Sequence, residues 1–139
     1  MTETNRPKQV IGQIVWTDLT VPDAGLVRDF YADVVGWDPV EHPMPAAAEG
    51  EEAYSDFVMQ TAPGPGGGDA VAGVCYARGA NAGIPPVWLV YVRVADLENS
   101  MAKAKERGGE VVYGPRAMGG GKLAVVRDPA GATLGLWAD

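Results

Sequence analysis

The chain repeats itself, and this constrains its fold more than any other feature. When Asp23 is laid on Asp96, 73 positions further on, Ile14 to Trp37 covers Val87 to Glu110, with Val21 on Val94 and Gly36 on Gly109. The identities are few, but the pattern beneath them is the same in both copies. Each copy opens with alternation at period two, the signature of a strand with two unlike faces. In the first, Val15, Thr17, Leu19 and Val21 share one face, and Ile14, Trp16, Asp18 and Thr20 the other. In the second, Trp88, Val90, Val92 and Val94 lie on one side, with Leu89, Tyr91 and Arg93 opposite. Helical spacing follows: Leu26, Val27, Phe30, Tyr31, Val34 and Val35 behind Asp23, then Leu97, Met101 and Ala104 behind Asp96. The two aspartates read as N-caps that accept the unpaired amides of a first helical turn. Gly36 and Gly108-Gly109 fall where a left-handed residue ends a helix.

Shorter strands are expected after each helix. They are Trp37 to Glu41, Ala53 to Gln60 and Ala70 to Ala77 in the first copy, then Glu110 to Tyr113, Lys122 to Arg127 and Ala132 to Trp137 in the second. Each copy is thus βαβββ. The run Pro63 to Gly68 and the DPAG sequence at Asp128 to Gly131 punctuate the strands as turns. Arg78 to Pro86, rich in Gly, Ala and Pro, reads as the linker between copies. With 47% hydrophobic residues in a chain of 139, a single packed domain spanning 1–139 is expected, its modules at about 11–78 and 86–138.

Charge and composition exclude several classes of function. Lys and Arg number 11 against 18 Asp and Glu, a net charge of −7 with no basic run, which argues against nucleic acid and against an anionic membrane surface. The longest strongly apolar run, Val87 to Val92, is too short to span a bilayer, and MTETNRPKQV lacks the apolar stretch of a signal peptide. A cytoplasmic location is the expectation. Cys75 is the only cysteine, so no intrachain disulfide is possible, and it sits in an expected strand without a neighbouring base. The only histidine, His42 in VEHPMP, reads as a solvated loop residue, which leaves no Ser-His-Asp arrangement and no Gly-x-Ser-x-Gly elbow. The glycine runs at Gly66 to Asp69 and Gly119 to Lys122 precede no helix and read as hairpin turns rather than phosphate loops; Glu49 to Glu52 reads as a solvated acidic loop.

The paired segments VPDAGLVRDFYADVVGW and RDPAGATLGLW, with VAGV (71–74) and GGKLAVVRDPAGA, resemble the vicinal oxygen chelate superfamily. This group includes glyoxalase I, extradiol dioxygenases, fosfomycin resistance enzymes and the bleomycin resistance protein. The resemblance is strongest to its metal-poor, glyoxalase-like branch and runs from about Ile11 to Trp137. It implies an α+β fold in which two βαβββ modules form a curved mixed sheet, a cup, with the helices outside. It also implies a homodimer. Family metal ligands come from four inward strand positions, which fall here on Trp16, Gly73, Leu89 and Gly135. None is an imidazole or a carboxylate, so no metal and no other cofactor is expected.

What remains on the faces implied to point into the cup is aromatic with a few polar groups: Trp16, Asp18 and Thr20, Leu89, Tyr91 and Arg93, Thr133 and Trp137, joined by Met59 or its neighbour Phe57. Such a lining suits a flat or partly apolar small molecule, although Trp16 and Trp137 are equally consistent with core packing. Asp18 is open to three roles: a general base, an anchor for a ligand amine or hydroxyl, or the partner of Arg93 or another cation in an ion pair across the sheet. The expected function is metal-free binding of a small molecule, as in sequestration or resistance. The alternative is a metal-independent isomerase, lyase or hydrolase using Asp18, and a metal-dependent glyoxalase or dioxygenase is the least favoured.

Overall fold

The structure, a computed structural model, describes residues 10–45 and 52–139; Glu49 to Glu51 of the expected acidic loop lie outside the described residues. The elements run β1 (Ile14–Val21), α1 (Ala24–Val35), β2 (Asp38–Pro43), β3 (Ser55–Gln60), β4 (Ala70–Tyr76), β5 (Leu89–Arg93), α2 (Leu97–Glu106), β6 (Glu110–Met118), β7 (Gly121–Arg127) and β8 (Thr133–Ala138). Two βαβββ modules, the α+β class, are what the repeat requires. The expected linker contains one short 3-10 turn, Gly79–Asn81.

Both caps form as the sequence dictates. Asp23 accepts the Leu26 amide at 3.1 Å and Asp96 the Asn99 amide at 3.0 Å. Gly36 takes φ +86° and returns its amide to Ala32, while Gly108 takes φ +91° and Gly109 donates to the Ala104 carbonyl at 2.8 Å. These are positions where a side chain would carry left-handed strain. At the DPAG turn the Asp128 carboxylate accepts from Ala130 at 2.8 Å and Ala132 at 3.1 Å.

The described residues form two compact units: a first within Thr17–Leu89, and a second made of residues 10–16 with Val90–Asp139. In the first unit the strand order is β2-β3-β4-β1, with β1 parallel to β4 and the other pairs antiparallel. In the second it is β5-β8-β7-β6, with β5 parallel to β8. Each is a mixed sheet carrying one helix. Ala24 of α1 packs with Phe57, Met59, Ala72 and Val74, and Leu97 of α2 with Ala124, Val126, Leu136 and Ala138. At about 25 cal/mol per Å² this apolar burial is what holds each helix to its sheet.

Two expectations of local structure change. β6 does not stop at Tyr113 but continues to Met118. Its pairing with β7 steps from Tyr113 opposite Val125 to Arg116 opposite Leu123, so Gly114 and Pro115 form a bulge at the end of the strand order. A strand there can absorb a proline that lacks a donor. His42 is not in a loop: it lies within β2, opposite Asp56 of β3. The Gly119-Gly120 turn between β6 and β7, with φ +54° and +88°, is the expected hairpin.

Candidate functional site

The helix-side cores decide which residues face the other way. In the first unit Phe57, Met59, Ala72 and Val74 point to α1, so alternation turns Asp56, Val58, Gly73 and Cys75 to the opposite face. Met59 is therefore not a lining residue as expected; it is fully buried beneath α1, and Phe57 with it. The register of β3 settles the choice, with Met59 opposite Ala72 and Val58 opposite Gly73. Gly73 in turn lies opposite Asp18, and Thr20 lies opposite Cys75.

This face of the first unit gathers acidic and thiol groups. Asp56, 5% exposed, accepts the Tyr76 amide at 2.8 Å and a hydrogen bond from the Cys75 thiol. Burial raises the Asp56 pKa, opposed by those two donors and by the charges of His42 and Arg78. Burial also pushes the Cys75 thiol far up, helped by the nearby carboxylates of Asp18 and Asp56. A thiol held protonated is a hydrogen-bond donor and not a nucleophile. Asp56 was missed in the sequence, although the alternation of SDFVMQ sets it opposite Phe57 and Met59. Thr20, opposite Cys75, is buried, and Asp18 is half-buried.

In the second unit Ala124, Val126, Leu136 and Ala138 face α2, so Leu123, Val125, Gly135 and Trp137 face away. Two register rows cross this sheet. One is Tyr91, Gly135, Val125 and Tyr113; the other is Arg93, Trp137, Leu123 and Arg116. Tyr91 is 5% exposed, and its ring lies directly against Gly135, where an added Cβ would stand 2.7 Å from Cε1 and 2.9 Å from Cγ. The Arg93 guanidinium stacks over Trp137 at 5.8 Å and pairs with the Asp139 carboxylate through both terminal nitrogens, Nη1 donating at 3.2 Å. Its ion-pair partner is thus Asp139. Arg116 and Tyr113, which the sequence reading passed over, stand together at 5.9 Å.

The remaining expected site residues are distributed between the units. Trp16 lies on β1 and is half-buried, as is Trp137 on β8. Leu89 is 1% exposed, and its carbonyl accepts the Thr17 hydroxyl at 3.1 Å. The metal-ligand positions implied by the resemblance hold Trp16, Gly73, Leu89 and Gly135, and none offers the imidazole or carboxylate that a divalent cation requires. Among the described residues no group of three or more His, Cys, Asp and Glu is placed to hold a metal ion. At Gly135 the Tyr91 ring stands where any side chain would have to go. These residues do not fit a metal centre.

A family model described as the glyoxalase/bleomycin resistance protein/dioxygenase superfamily matches residues 13–136. The chain belongs to that superfamily. Among curated superfamily relatives, it is 32% identical over 124 residues to "Putative glyoxylase CFP32" of Mycobacterium tuberculosis, covering 88% of this chain and 44% of the relative. It is 31% identical over 128 residues to the anthracycline biosynthesis protein DnrV of Streptomyces peucetius, covering 91% and 46%. The chain spans less than half the length of these relatives. Among solved structures, a Streptomyces coelicolor methylmalonyl-CoA epimerase variant in complex with 2-nitronate-propionyl-CoA superimposes with a TM-score of 0.53 at 15% identity, covering 94% of this chain and 99% of that one. That likeness speaks to the fold alone.

Proposed function

We propose that this superfamily member binds a flat, partly apolar small molecule without a resident metal. The observation that carries the reading is the Tyr91 ring packed against Gly135. The superfamily position for a metal-binding side chain is here a glycine, and an aromatic platform takes its place. Tyr113 and Trp137, half-buried on the sheet face that Tyr91 shares, supply the aromatic area that such ligands need. The relative named for anthracycline biosynthesis supports a polycyclic aromatic compound as the ligand class, and the epimerase complex shows this fold accommodating a CoA ester in another protein. Asp18, placed near Cys75, acts in this reading as an anchor for a ligand hydroxyl or amine.

The proposal includes pairing of two copies, supported by the apolar stripe on α1. Leu26, Phe30 and Val34 are 67%, 56% and 63% exposed, whereas the outer face of α2 carries Glu98, Asn99 and Lys103. Residence in the cytoplasm is likewise proposed; among the described residues no helix is long and apolar enough to cross a membrane. Native mass spectrometry of protein purified without chelator tests the reading. The expected spectrum shows a dimer, no stoichiometric metal, and an organic adduct or uptake of an added polycyclic aromatic ligand. Stoichiometric Zn, Ni, Fe or Mn, or failure to take up any such ligand, would overturn it.

A further inference from the structure

We infer that the sheet face of the second unit away from α2 recognises a planar carboxylate, with Arg93 as its primary contact and Arg116 at the far end of the same register row. The inference rests on the small-molecule reading above and names the chemistry of the ligand.

The row is fixed by pairing: Arg93 opposite Trp137, Trp137 opposite Leu123, and Leu123 opposite Arg116. With adjacent strands about 4.8 Å apart, the two guanidiniums start from backbones some three strand spacings apart, and a tryptophan and a leucine lie between them. In a chain of net charge −7 with only 11 basic residues, two arginines half-buried on one row of one sheet face are a concentrated positive feature. Arginine is rarely buried without a reason, because the charge must be paired and all five donors satisfied. The Arg93 side chain is only 12% exposed.

Arg93 is incompletely satisfied. Asp139 takes the edge formed by Nη1 and Nη2, in the forked arrangement that guanidinium and carboxylate prefer. The other edge carries Nε, a buried donor with no hydrogen-bond partner among the described residues. A buried donor left unmade is costly, and native proteins keep few. An incoming carboxylate supplies the missing acceptor at that edge. The adjoining Trp137, with Tyr113 in the neighbouring row, provides flat surface for the ring system that bears it. Asp139, 59% exposed, is then an internal carboxylate that already neutralises part of the guanidinium and so weakens the pull on a second anion.

The test compares 1-naphthoate with its neutral isostere 1-naphthamide by titration calorimetry at low and moderate salt, with the Arg93 Nε–H followed by NMR. Naphthoate is expected to bind at least tenfold more tightly than the amide, as hydrogen bonds to a charged group imply, and to shift the Arg93 Nε–H resonance. The preference should shrink with salt and vanish in Arg93→Gln. Asp139→Asn, a change at an exposed side chain, should tighten naphthoate severalfold and leave the amide unaffected; a purely structural ion pair would give no such gain. Equal affinity of acid and amide overturns this inference while leaving the small-molecule reading standing, as does an Asp139→Asn variant that binds naphthoate no better. Binding of neither compound removes both.

Discussion

Replacing Gly135 by alanine probes the contact on which the functional reading turns. The added methyl carbon would stand 2.7 Å and 2.9 Å from two carbons of the Tyr91 ring, against the 3.5 to 4.0 Å at which carbon atoms normally rest. The ring cannot swing aside cheaply: Tyr91 is 5% exposed, and Val125, the neighbour of Gly135 on β7, is fully buried. β8 cannot retreat either, since Gly135 is held between Tyr91 on β5 and Val125 on β7. Overpacking of this kind costs about 1–3 kcal/mol. For a domain of this size that corresponds to a fall in Tm of very roughly 3–10 °C. Urea denaturation should show a lower midpoint at unchanged slope, the sign of lost stability rather than an altered unfolded state. The decisive measurement is a double-mutant cycle with Tyr91→Leu. With the ring gone the methyl finds room, so Gly135→Ala should cost at least about 1 kcal/mol less in the Tyr91→Leu background. A Gly135→Ala variant within about 0.5 kcal/mol of the parent, or an equal penalty in both backgrounds, would refute the claim that Tyr91 occupies this position.

Two further predictions concern the first unit. Burial raises the Asp56 pKa, so the folded state binds that proton more tightly than the unfolded chain; the contribution favours folding in acid and is lost as pH rises through the folded pKa. Asp56→Asn, which keeps an acceptor for the Tyr76 amide but cannot ionise, should therefore gain on the parent between about pH 3 and pH 7 in urea midpoints, and a flat or opposite trend would refute this. Cys75, its thiol held protonated by burial and by Asp18 and Asp56, should react with iodoacetamide at pH 8 at least about tenfold more slowly than the same chain in denaturant, and equal rates would show the thiol to be accessible and ionisable.

The fold was legible because its signals were local and repeated. Asp23 and Asp96 cap helices that Gly36 and Gly108 end, and the period-two alternation of β1 and β5 was read with the correct faces. What could not be read was anything set by pairing between strands. Phe57 and Met59 alternate with Asp56 and Val58, and alternation alone does not say which pair faces the helix; the opposition of Met59 to Ala72 under α1 decides it. β6 was cut short because Gly114-Pro115 is a strong local break, yet a strand ending the sheet order accommodates it as a bulge. Arg93 pairs with Asp139, two residues beyond its register partner Trp137, a neighbour that only the pairing of β5 with β8 reveals.

The duplication explains why one glycine says more about function than composition did. At the same step of the repeat the first unit sets Asp18 opposite Gly73, and the second sets Tyr91 opposite Gly135. Two modules that needed only to fold would tolerate any residue pair of suitable volume at these positions. Instead each pairs a glycine with a large or ionisable neighbour, and the neighbours differ in kind: a carboxylate near a protonated thiol in one, an aromatic ring beside an arginine in the other. The outward residues thus differ between the units over a shared backbone pattern, while the helix-side cores are apolar in both. In the second unit the Tyr91 ring takes the volume that a side chain at residue 135 would need.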